Sequence, residues 1–385
     1  VKKSLYIFGI LISFTKYKPN KLISMSKREI FFGYHDKKNI LGNKILFHSL
    51  KENKKNAEIC FQNLGMNSKI IKITNTPYWS WQLGSQLQWL GKGGSKIIYN
   101  SQKNKKNIST IFNLKKNKVV QDINYPVFSL DNKGKYMISI DFKNLLKNRK
   151  GYGYSHKNNS KIFKGFYLIN IKSETYFVNR YVSLEKIKKD VGFKKNSNYY
   201  VNHLNFSPDK KKIIFFLIKN GKLGRQTNLI SYDIQSNMSM HYKKIINPSH
   251  YCWIKNRTLL LTSNTNSHFK YGCLNLKSNK FKLIINNNLK YDGHPMQHPK
   301  NKNLILTDTY PNIFGYQKLL NIDLKKNRVI WKKNIFSSQK YIGFKRCDLH
   351  PRWSSDGKKI CIDTTMNGKR EIGIVNFEYN KINLN

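Results

Sequence analysis

The segment "HPRWSSDGKKICIDTT", residues 350–365, has the pattern of a tight β-hairpin. Its Ser-Ser-Asp-Gly turn separates a short apolar stretch from an alternating strand, and Asp-Gly suits such a turn because glycine adopts positive φ without strain. Residues 201–218, "VNHLNFSPDKKKIIFFLI", follow the same plan around a Ser-Pro-Asp turn. We interpret both segments as the inner hairpin of a repeated structural unit.

A second kind of hairpin accompanies the inner one, with two alternating strands around a turn rich in Asn, Lys or Ser. Its seven copies occupy residues 58–74, 109–123, 166–180, 228–242, 271–284, 318–332 and 371–385. The repeat of roughly 40 to 55 residues has the length of a propeller blade. The sequence therefore predicts an all-β fold, a seven-bladed β-propeller of four-stranded antiparallel blades. Residues 142–165 and 181–199 are interpreted as insertions, the second with a short helix.

The N-terminal segment, residues 1–24, is predicted to be an extension that precedes a single propeller domain, residues 25–385. Its "LYIFGILISF" follows Lys2 and Lys3, as in a signal peptide, but no small-x-small cleavage site follows. The apolar run is also too short to cross a bilayer, so no transmembrane segment is predicted. A translation start at Met25 is the alternative interpretation.

The cysteines and the net charge bear on location and partners. Five cysteines without a CxxC pair indicate reduced thiols and favour the cytoplasm, with export or membrane association through residues 1–24 as the alternative. The 71 Lys and Arg against 20 Asp and Glu, a net charge of +51, describe either a lysine-rich solvent face or a surface that attracts polyanions. Because the lysines are spread along the chain, no specific nucleic-acid partner is predicted.

Strand direction predicts where the unusual side chains converge. In a four-stranded antiparallel blade, the segment that enters the blade and the turn between its second and third strands lie on the same face. The entry segments contain Tyr34, His35, Asp36, Trp81, Gln82, His203, His250, Asp292, His294, Arg346, Asp348, His350 and Arg352. The middle turns contain Arg149, Tyr152, Arg225 and Tyr310. We therefore expect a polar site at one end of the central channel.

These residue types suit β-elimination of an acidic carbohydrate. His203, His294 and His350 are predicted as ligands of a divalent metal or as the general base, and Tyr152 or Tyr310 as the proton donor. The predicted substrate-binding residues are Arg149, Arg346, Arg352, Trp81, Gln82, Asp292 and Asp348. Arginine is included because it binds a carboxylate in two-point fashion. For Trp81 the alternative is packing between blades, and for the two aspartates it is bonding to loop amides.

The repeats resemble those of TolB-type and oligogalacturonate-lyase-type propellers, in "LNFSPDKKK" (204–212) and in the 350–365 hairpin. The phrases "FFGYHDK", "WSWQLGSQLQWL", "KGYGY", "DGHP" and "RCDLHPRWSSDGK" resemble a group of uncharacterised propellers linked to polysaccharide metabolism. The resemblance extends from about residue 28 to the C-terminus. It implies one divalent ion (Mn, Ca or Zn) near His203, His294, His350 and Gln82, although the closely spaced His pair with Gln of the lyases is missing.

Two functions remain open at this point. The first is a lyase that acts on an acidic carbohydrate, and the second is a non-catalytic glycan- or protein-binding scaffold in surface polysaccharide biosynthesis. Hydrolysis by paired carboxylates is disfavoured because acidic residues are few. A glycosyltransferase is disfavoured because no Asp-x-Asp motif occurs. The sequence predicts no oligomeric state.

Overall fold

The computed structural model describes residues 17–65, 68–154, 163–222, 224–265 and 268–378. Seven antiparallel sheets form the blades of a β-propeller, which confirms the predicted fold. Blade 1 has an additional short strand, so that its sheet contains five strands and each of the others contains four. Helical segments are few and lie in connections between strands.

The strands are numbered in chain order. Those of the first half are β1 (Lys21–Ile23), β2 (Arg28–Phe31), β3 (Ile40–Leu41), β4 (Lys44–Lys51), β5 (Ala57–Asn63), β6 (Ile71–Thr76), β7 (Gln88–Trp89), β8 (Lys96–Lys103), β9 (Lys106–Asn113), β10 (Lys118–Ile123), β11 (Ser129–Leu130), β12 (Tyr136–Ser139), β13 (Gly165–Ile171) and β14 (Tyr176–Ser183). Those of the second half are β15 (Tyr199–Phe206), β16 (Lys212–Gly221), β17 (Gly224–Asp233), β18 (Met238–His241), β19 (Pro248–Lys255), β20 (Thr258–Thr265), β21 (His268–Asn275), β22 (Lys280–Ile284), β23 (Met296–Gln297), β24 (Leu304–Asp308), β25 (Tyr316–Asp323), β26 (Arg328–Phe336), β27 (Arg352–Trp353), β28 (Lys359–Thr364) and β29 (Glu371–Asn376).

The second and third strands of each blade carry the core. Residues 213–218 of β16 are all buried because both faces of this strand pack against neighbouring blades. Outer strands have one solvated face, and β18 accordingly alternates between exposed and buried side chains. Burial of these apolar runs between blades is the main force that holds the ring together.

The last blade closes through the N-terminal segment. Its outer strand is β1, which pairs with β29 so that Leu22 lies opposite Gly373. Residues 21–23, which the sequence analysis assigned to the extension, therefore occupy the outer position of this blade. The second strand of the hairpin predicted at 371–385 lies outside the described residues. Strands from both ends of the chain thus share one sheet, and their main-chain hydrogen bonds hold the ring closed. Residues 1–16 and 379–385 lie outside the described ranges.

Two short helices stand at the predicted insertions. Helix α1 (Phe142–Asn148) begins after Asp141, whose carboxylate accepts hydrogen bonds from the amides of Lys143 and Asn144. Helix α2 (Leu184–Asp190) is capped in the same way by Ser183. All five cysteines are unpaired. Within the described ranges, no helix has the length and apolar character needed to cross a membrane.

Candidate functional site

Five histidines gather around Tyr34 on the face that holds the entry segments. The ring centroids of His35, His203, His250, His294 and His350 lie between 4.5 and 6.2 Å from that of Tyr34. None of the six side chains is more than 6% exposed. A cavity of about 10 Å³, room for one water molecule, lies beside this axial cluster. Convergence of the entry segments at the axis, the central expectation from strand direction, is thus observed.

Unusual backbone geometry directs two of these imidazoles. His203 has φ 54° and His350 has φ 42°, a left-handed conformation that non-glycine residues seldom adopt. His203 follows Asn202 at a β-bulge, where the register of β15 against β16 shifts. His250 lies at a similar shift between β19 and β20. Bulges of this kind change the direction of a side chain at the end of a strand, and strain of this kind accompanies functional sites.

The glycine of the "DGHP" segment is explained by the close approach of two segments of the chain. A Cβ atom on Gly293 would collide with the carbonyl oxygen of Asp308, so only glycine lets the entry segment approach β24 this closely. His294 then donates from its backbone amide to Asp308 Oδ1 at 2.8 Å, and its ring Nδ1 lies 2.9 Å from the same oxygen. Asp308 therefore fixes the ring of His294 and directs Nε2 towards the axis.

Asp292 holds His250 by the same kind of contact. Its Oδ1 lies 3.1 Å from His250 Nδ1 and also accepts from the Thr262 hydroxyl, while Oδ2 accepts from Ser249. Because both of its carboxylate oxygens are engaged by protein groups, Asp292 orients an imidazole in this structure. An imidazole held through Nδ1 by a carboxylate presents Nε2 as a base or metal ligand.

The charge states of the imidazoles follow from burial. Burial lowers the pKa of His203 and of His350 well below the usual value, and neighbouring Arg149 and His294, respectively, lower it further. Burial also lowers the pKa of His250, although Asp292 opposes that shift. For His294, burial alone would lower the pKa, but the contact with Asp308 outweighs it and the net shift is upward. Most of the axial cluster is therefore neutral near pH 7.

Three donors form the candidate metal centre. In the described part of the chain, His294, Asp348 and His350 are the one group whose ligand atoms lie within 4.8 Å of one another. Nε2 of His294 and Nε2 of His350 are buried and have no hydrogen-bond partner among the described residues. Two unpartnered imidazole nitrogens beside a carboxylate fit a divalent transition metal. His203 lies outside this group, and its Nε2 is 3.3 Å from Nη1 of Arg149.

Cationic and phenolic side chains cover the histidines. The Arg149 guanidinium lies 3.6 Å from the ring of Tyr152, and that of Arg346 lies 4.5 Å from the ring of Tyr310. Arg346 also forms two hydrogen bonds with Asp348, at 2.6 and 2.8 Å.

Gln82 ties these segments together. Its backbone amide donates to the Gly151 carbonyl at 3.1 Å, and its side-chain Nε2 donates to the Arg346 carbonyl at 2.8 Å. The predicted residues Gln82, Arg149, Tyr152, Tyr310 and Arg346 thus surround one site.

Arg352 and Trp81 take other positions. Arg352 is fully buried, with Nη2 at 2.7 Å from Asp363 Oδ1 and Nη1 donating to the Gly33 carbonyl. The Arg352 guanidinium is thus engaged in a buried ion pair and holds the core of the blade, and its contact with substrate stays a prediction. Trp81 packs against Phe31 at 5.1 Å, as in the alternative interpretation of packing between blades.

We expect Arg352→Met to lower the free energy of unfolding by about 3 to 5 kcal/mol, because it leaves the carboxylate of Asp363 buried without its partner. Arg149→Met removes a guanidinium that has no carboxylate partner among the described residues, and it should change the free energy of unfolding by less than about 1 kcal/mol. Urea unfolding monitored by tryptophan fluorescence measures both. Equal stability of the two variants would contradict a structural role for Arg352.

Sequence analysis expected His35 and His250 on this face but gave them no catalytic, binding or metal-ligating role, and it did not name Asp308. His35 and His250 lie in entry segments at the positions where the other histidines lie, so their location in the repeat was the available signal. Asp308 is at the end of β24 in "LTDTYP", and its contact with His294 depends on the pairing of two segments 14 residues apart. Nothing in its local sequence distinguishes it from an aspartate in a turn.

Comparison with known proteins supports the fold. No protein-family model and no curated protein sequence matches the chain. Among solved structures, an oligogalacturonate lyase in complex with manganese aligns over 95% of this chain and 96% of its own, with TM-score 0.67 and 10% identity. The oligogalacturonate lyase of Vibrio parahaemolyticus aligns over 94% and 96%, with TM-score 0.65 and 12% identity.

TolB of Acinetobacter baumannii aligns less closely, over 81% of this chain and 64% of its own, with TM-score 0.42 and 12% identity. At 10–12% identity, the alignments with the two oligogalacturonate lyases establish a shared architecture and nothing finer. The chain is a seven-bladed propeller with the architecture of the oligogalacturonate lyases, as the sequence resemblance implied.

Proposed function

We propose that the protein is a carbohydrate-active propeller that cleaves an acidic oligosaccharide or polysaccharide by β-elimination at the axial face. The observation that carries this proposal is the joint arrangement of two arginines, two tyrosines and a histidine cluster around the axis. Elimination from a uronate needs a cationic group at the carboxylate, a base for the C5 proton and an acid for the departing 4-oxygen. The site supplies each of these residue types.

The carboxylate of the sugar is assigned to the arginines. The Arg346 side chain is 37% exposed, which makes it accessible to a ligand that approaches the axial face. Asp348 accepts two hydrogen bonds from Arg346, from Nε and Nη2. These bonds fix the guanidinium and leave Nη1 available to a ligand. Gln82 bonds the segment that carries Arg149 as well as the one that carries Arg346, and Arg149 is the second candidate contact for the sugar carboxylate.

The metal centre is assigned to His294, His350 and Asp348. Two imidazoles and one carboxylate suit Mn²⁺ or Zn²⁺ better than Ca²⁺, which prefers an all-oxygen shell. A divalent cation bound there would supply positive charge that neutralises the uronate carboxylate and acidifies the adjacent C5 proton. The Asp308 carboxylate would support this centre by holding His294 in the tautomer with a free Nε2.

Proton transfer is assigned to His203 and a tyrosine. Burial keeps His203 neutral near pH 7. Once Arg149, which lies 3.3 Å from His203 Nε2, moves to the sugar carboxylate, that nitrogen can accept the C5 proton while the electron pair of the C5–H bond forms the C4–C5 double bond. The 4-oxygen departs with its bonding pair and takes a proton from Tyr310 or Tyr152. Burial raises the pKa of Tyr310 well above its usual range, which keeps the phenol protonated until the transfer.

The depth of the cluster also favours a second candidate. His294 and His350 are no more than 2% exposed, whereas Arg346 is accessible. A non-catalytic glycan-binding scaffold would use the exposed arginine without access to the imidazoles. Cleavage requires that the Gln82 bridge between Gly151 and Arg346 opens when the sugar binds.

The test is the ultraviolet absorbance of an unsaturated uronate, followed with purified protein and a panel of acidic polysaccharides, with and without a chelator. The expected result is absorbance that grows with the wild type and vanishes in His203→Ala, while His241→Ala, on the outer strand of blade 4, stays active. Binding of the same glycans without any absorbance change would establish the scaffold. Neither binding nor cleavage on any uronate would overturn the proposal.

A further inference from the structure

We propose that two loops beside the axial site dock onto the surface of an anionic membrane. The first loop, residues 309–315, joins β24 to β25, and the second, residues 337–351, enters blade 7. Both lie on the face that contains the axial cluster. This inference uses side chains that the proposed function leaves unassigned, and it does not depend on that function.

The loops expose four large apolar side chains. Ile313 is 83% exposed, Phe314 51%, Ile342 72% and Phe344 52%. Large apolar residues of this kind are usually buried, and a group of them on one surface marks a site of interaction. We call these four residues the apolar tips.

The backbone holds the two loops together as one surface. Ser337 donates from its amide to the Gly315 carbonyl at 2.6 Å, and Gln339 donates from Nε2 to the Ile313 carbonyl at 3.2 Å. A 3-10 turn at Gly343–Lys345 presents Phe344, while its neighbour Ile342 precedes the turn. The apolar tips therefore belong to adjacent loops whose relative position is fixed.

The charges around the apolar tips select the partner. The two loops contain Lys340, Lys345 and Arg346, with Lys318 at the start of β25, and their one acidic residue is Asp348. The nearest carboxylates in sequence, Asp308 and Asp348, are buried in contacts with His294 and Arg346. Glu29 is a further carboxylate beside the second loop, where it accepts hydrogen bonds from the Tyr341 hydroxyl. Apolar side chains inside a mainly basic frame match the two attractions of an anionic bilayer, its acyl boundary and its headgroup charge.

Four exposed apolar side chains elsewhere on the propeller have a different distribution. Ile71, Val119, Phe177 and Val178 lie on the outer strands β6, β10 and β14, in three separate blades. Outer strands face solvent singly, and isolated apolar side chains there need no partner. These four residues supply a control set that matches the apolar tips in number.

The second loop connects this surface to the axial site. A Cβ atom on Gly151 would lie 2.9 Å from the Phe344 carbonyl oxygen, so Phe344 adjoins the segment that carries Arg149 and Tyr152. Arg346 follows two residues later and contributes to the site directly. A membrane bound at the apolar tips would face the axial opening.

Flotation with lipid vesicles tests the inference on the full chain. Wild type is expected to float with phosphatidylglycerol and phosphatidylcholine vesicles at roughly physiological salt, about 0.15 M, and to bind phosphatidylcholine alone far more weakly. Ile313→Ser, Phe314→Ser, Ile342→Ser and Phe344→Ser, combined, should lower the affinity by about 100-fold. The combination Ile71→Ser, Val119→Ser, Phe177→Ser and Val178→Ser should leave it unchanged, with thermal unfolding of both variants confirming the fold.

Three outcomes would overturn the inference. Equal loss of binding in both combined variants, or none in either, would mean that vesicles are bound by dispersed lysines. A wild-type dimer that dissociates in the apolar-tip variant, without vesicle binding, would assign the surface to a second copy of the chain. A wild-type monomer that binds no vesicles would leave the surface to a protein partner.

Discussion

His294→Ala is expected to lower the affinity of the protein for Mn²⁺ by about 100-fold or more, because it removes one of three donors whose geometry is already fixed. The buried Nε2 of His294 has no partner among the described residues, so its directed lone pair is the strongest single sign of the metal centre. Isothermal titration of metal-stripped protein with Mn²⁺ measures the affinity without any substrate. Zn²⁺, titrated in the same way, would bind more tightly at an imidazole-rich site.

Asp308→Asn separates binding of the metal by His294 from the positioning of the His294 ring by Asp308. The variant keeps an acceptor for His294 Nδ1 but loses the negative charge, and a loss of about 10- to 100-fold in metal affinity is expected. His203→Ala, which removes an imidazole outside the donor group, should retain the affinity of the wild type. Metal binding that survives His294→Ala but disappears in His203→Ala would show that the donors have been assigned to the wrong imidazoles.

The architecture was predictable because it depends on local patterns that recur. A turn such as Ser-Asp-Gly between apolar strands identifies an inner hairpin in any blade, and the face on which His203, His294 and His350 meet follows from strand direction alone. Neither inference needs a distance between side chains. The number of blades and the face on which these histidines meet therefore followed from the sequence.

The parts that were not predictable depend on contacts between distant segments. β1 has only three residues, and its partner β29 lies at the other end of the chain, so periodicity could not identify it as a strand. Arg352 stands two residues after His350 in a segment rich in site residues, yet Asp363 draws it into the core. Residue type predicted its charge, and only tertiary structure determined its partner.

The carboxylates illustrate the same limit in the site itself. Asp292, Asp308 and Asp348 each engage a protein partner, His250, His294 and Arg346 respectively. In a chain with 20 acidic residues, three at one site could suggest an acidic binding surface. Their pairing instead directs imidazole and guanidinium groups towards the axis, and of the three carboxylates only Asp348 is also a candidate metal donor.

Acidification from pH 7 to pH 5 is expected to lower the free energy of unfolding by several kcal/mol. Burial lowers the pKa of His48 to about 4, and it lowers those of His35, His203 and His350 well below the usual value. An unfolded chain binds protons at these positions near pH 6.5 while the folded chain does not, so this stability is present above that pH and is lost as the pH falls. His48, with its folded pKa of about 4, contributes about 2 kcal/mol over this interval, and the other three histidines act in the same direction.

His294 acts in the opposite direction. Its pKa is raised in the folded state, so its contribution is present below the unfolded value and is lost as the pH rises through the folded value. Because His294 alone opposes the four histidines named above, acidification is expected to lower the free energy of unfolding overall. Urea unfolding at pH 7, 6 and 5, monitored by tryptophan fluorescence, gives the dependence.

His48→Gln isolates one of these contributions at a distance from the proposed metal donors. His48 is fully buried, and its Nε2 accepts a hydrogen bond from the Ser85 amide at 3.1 Å, a role that the carbonyl of glutamine can assume without titrating. The variant should therefore lose about 2 kcal/mol less than the wild type between pH 7 and pH 5. An unchanged pH dependence would mean that His48 takes up a proton in the folded protein. In that case burial between Phe31 and Ser85 would not exclude charge from the ring, and the neutral state inferred for the equally buried axial imidazoles would lose its physical basis.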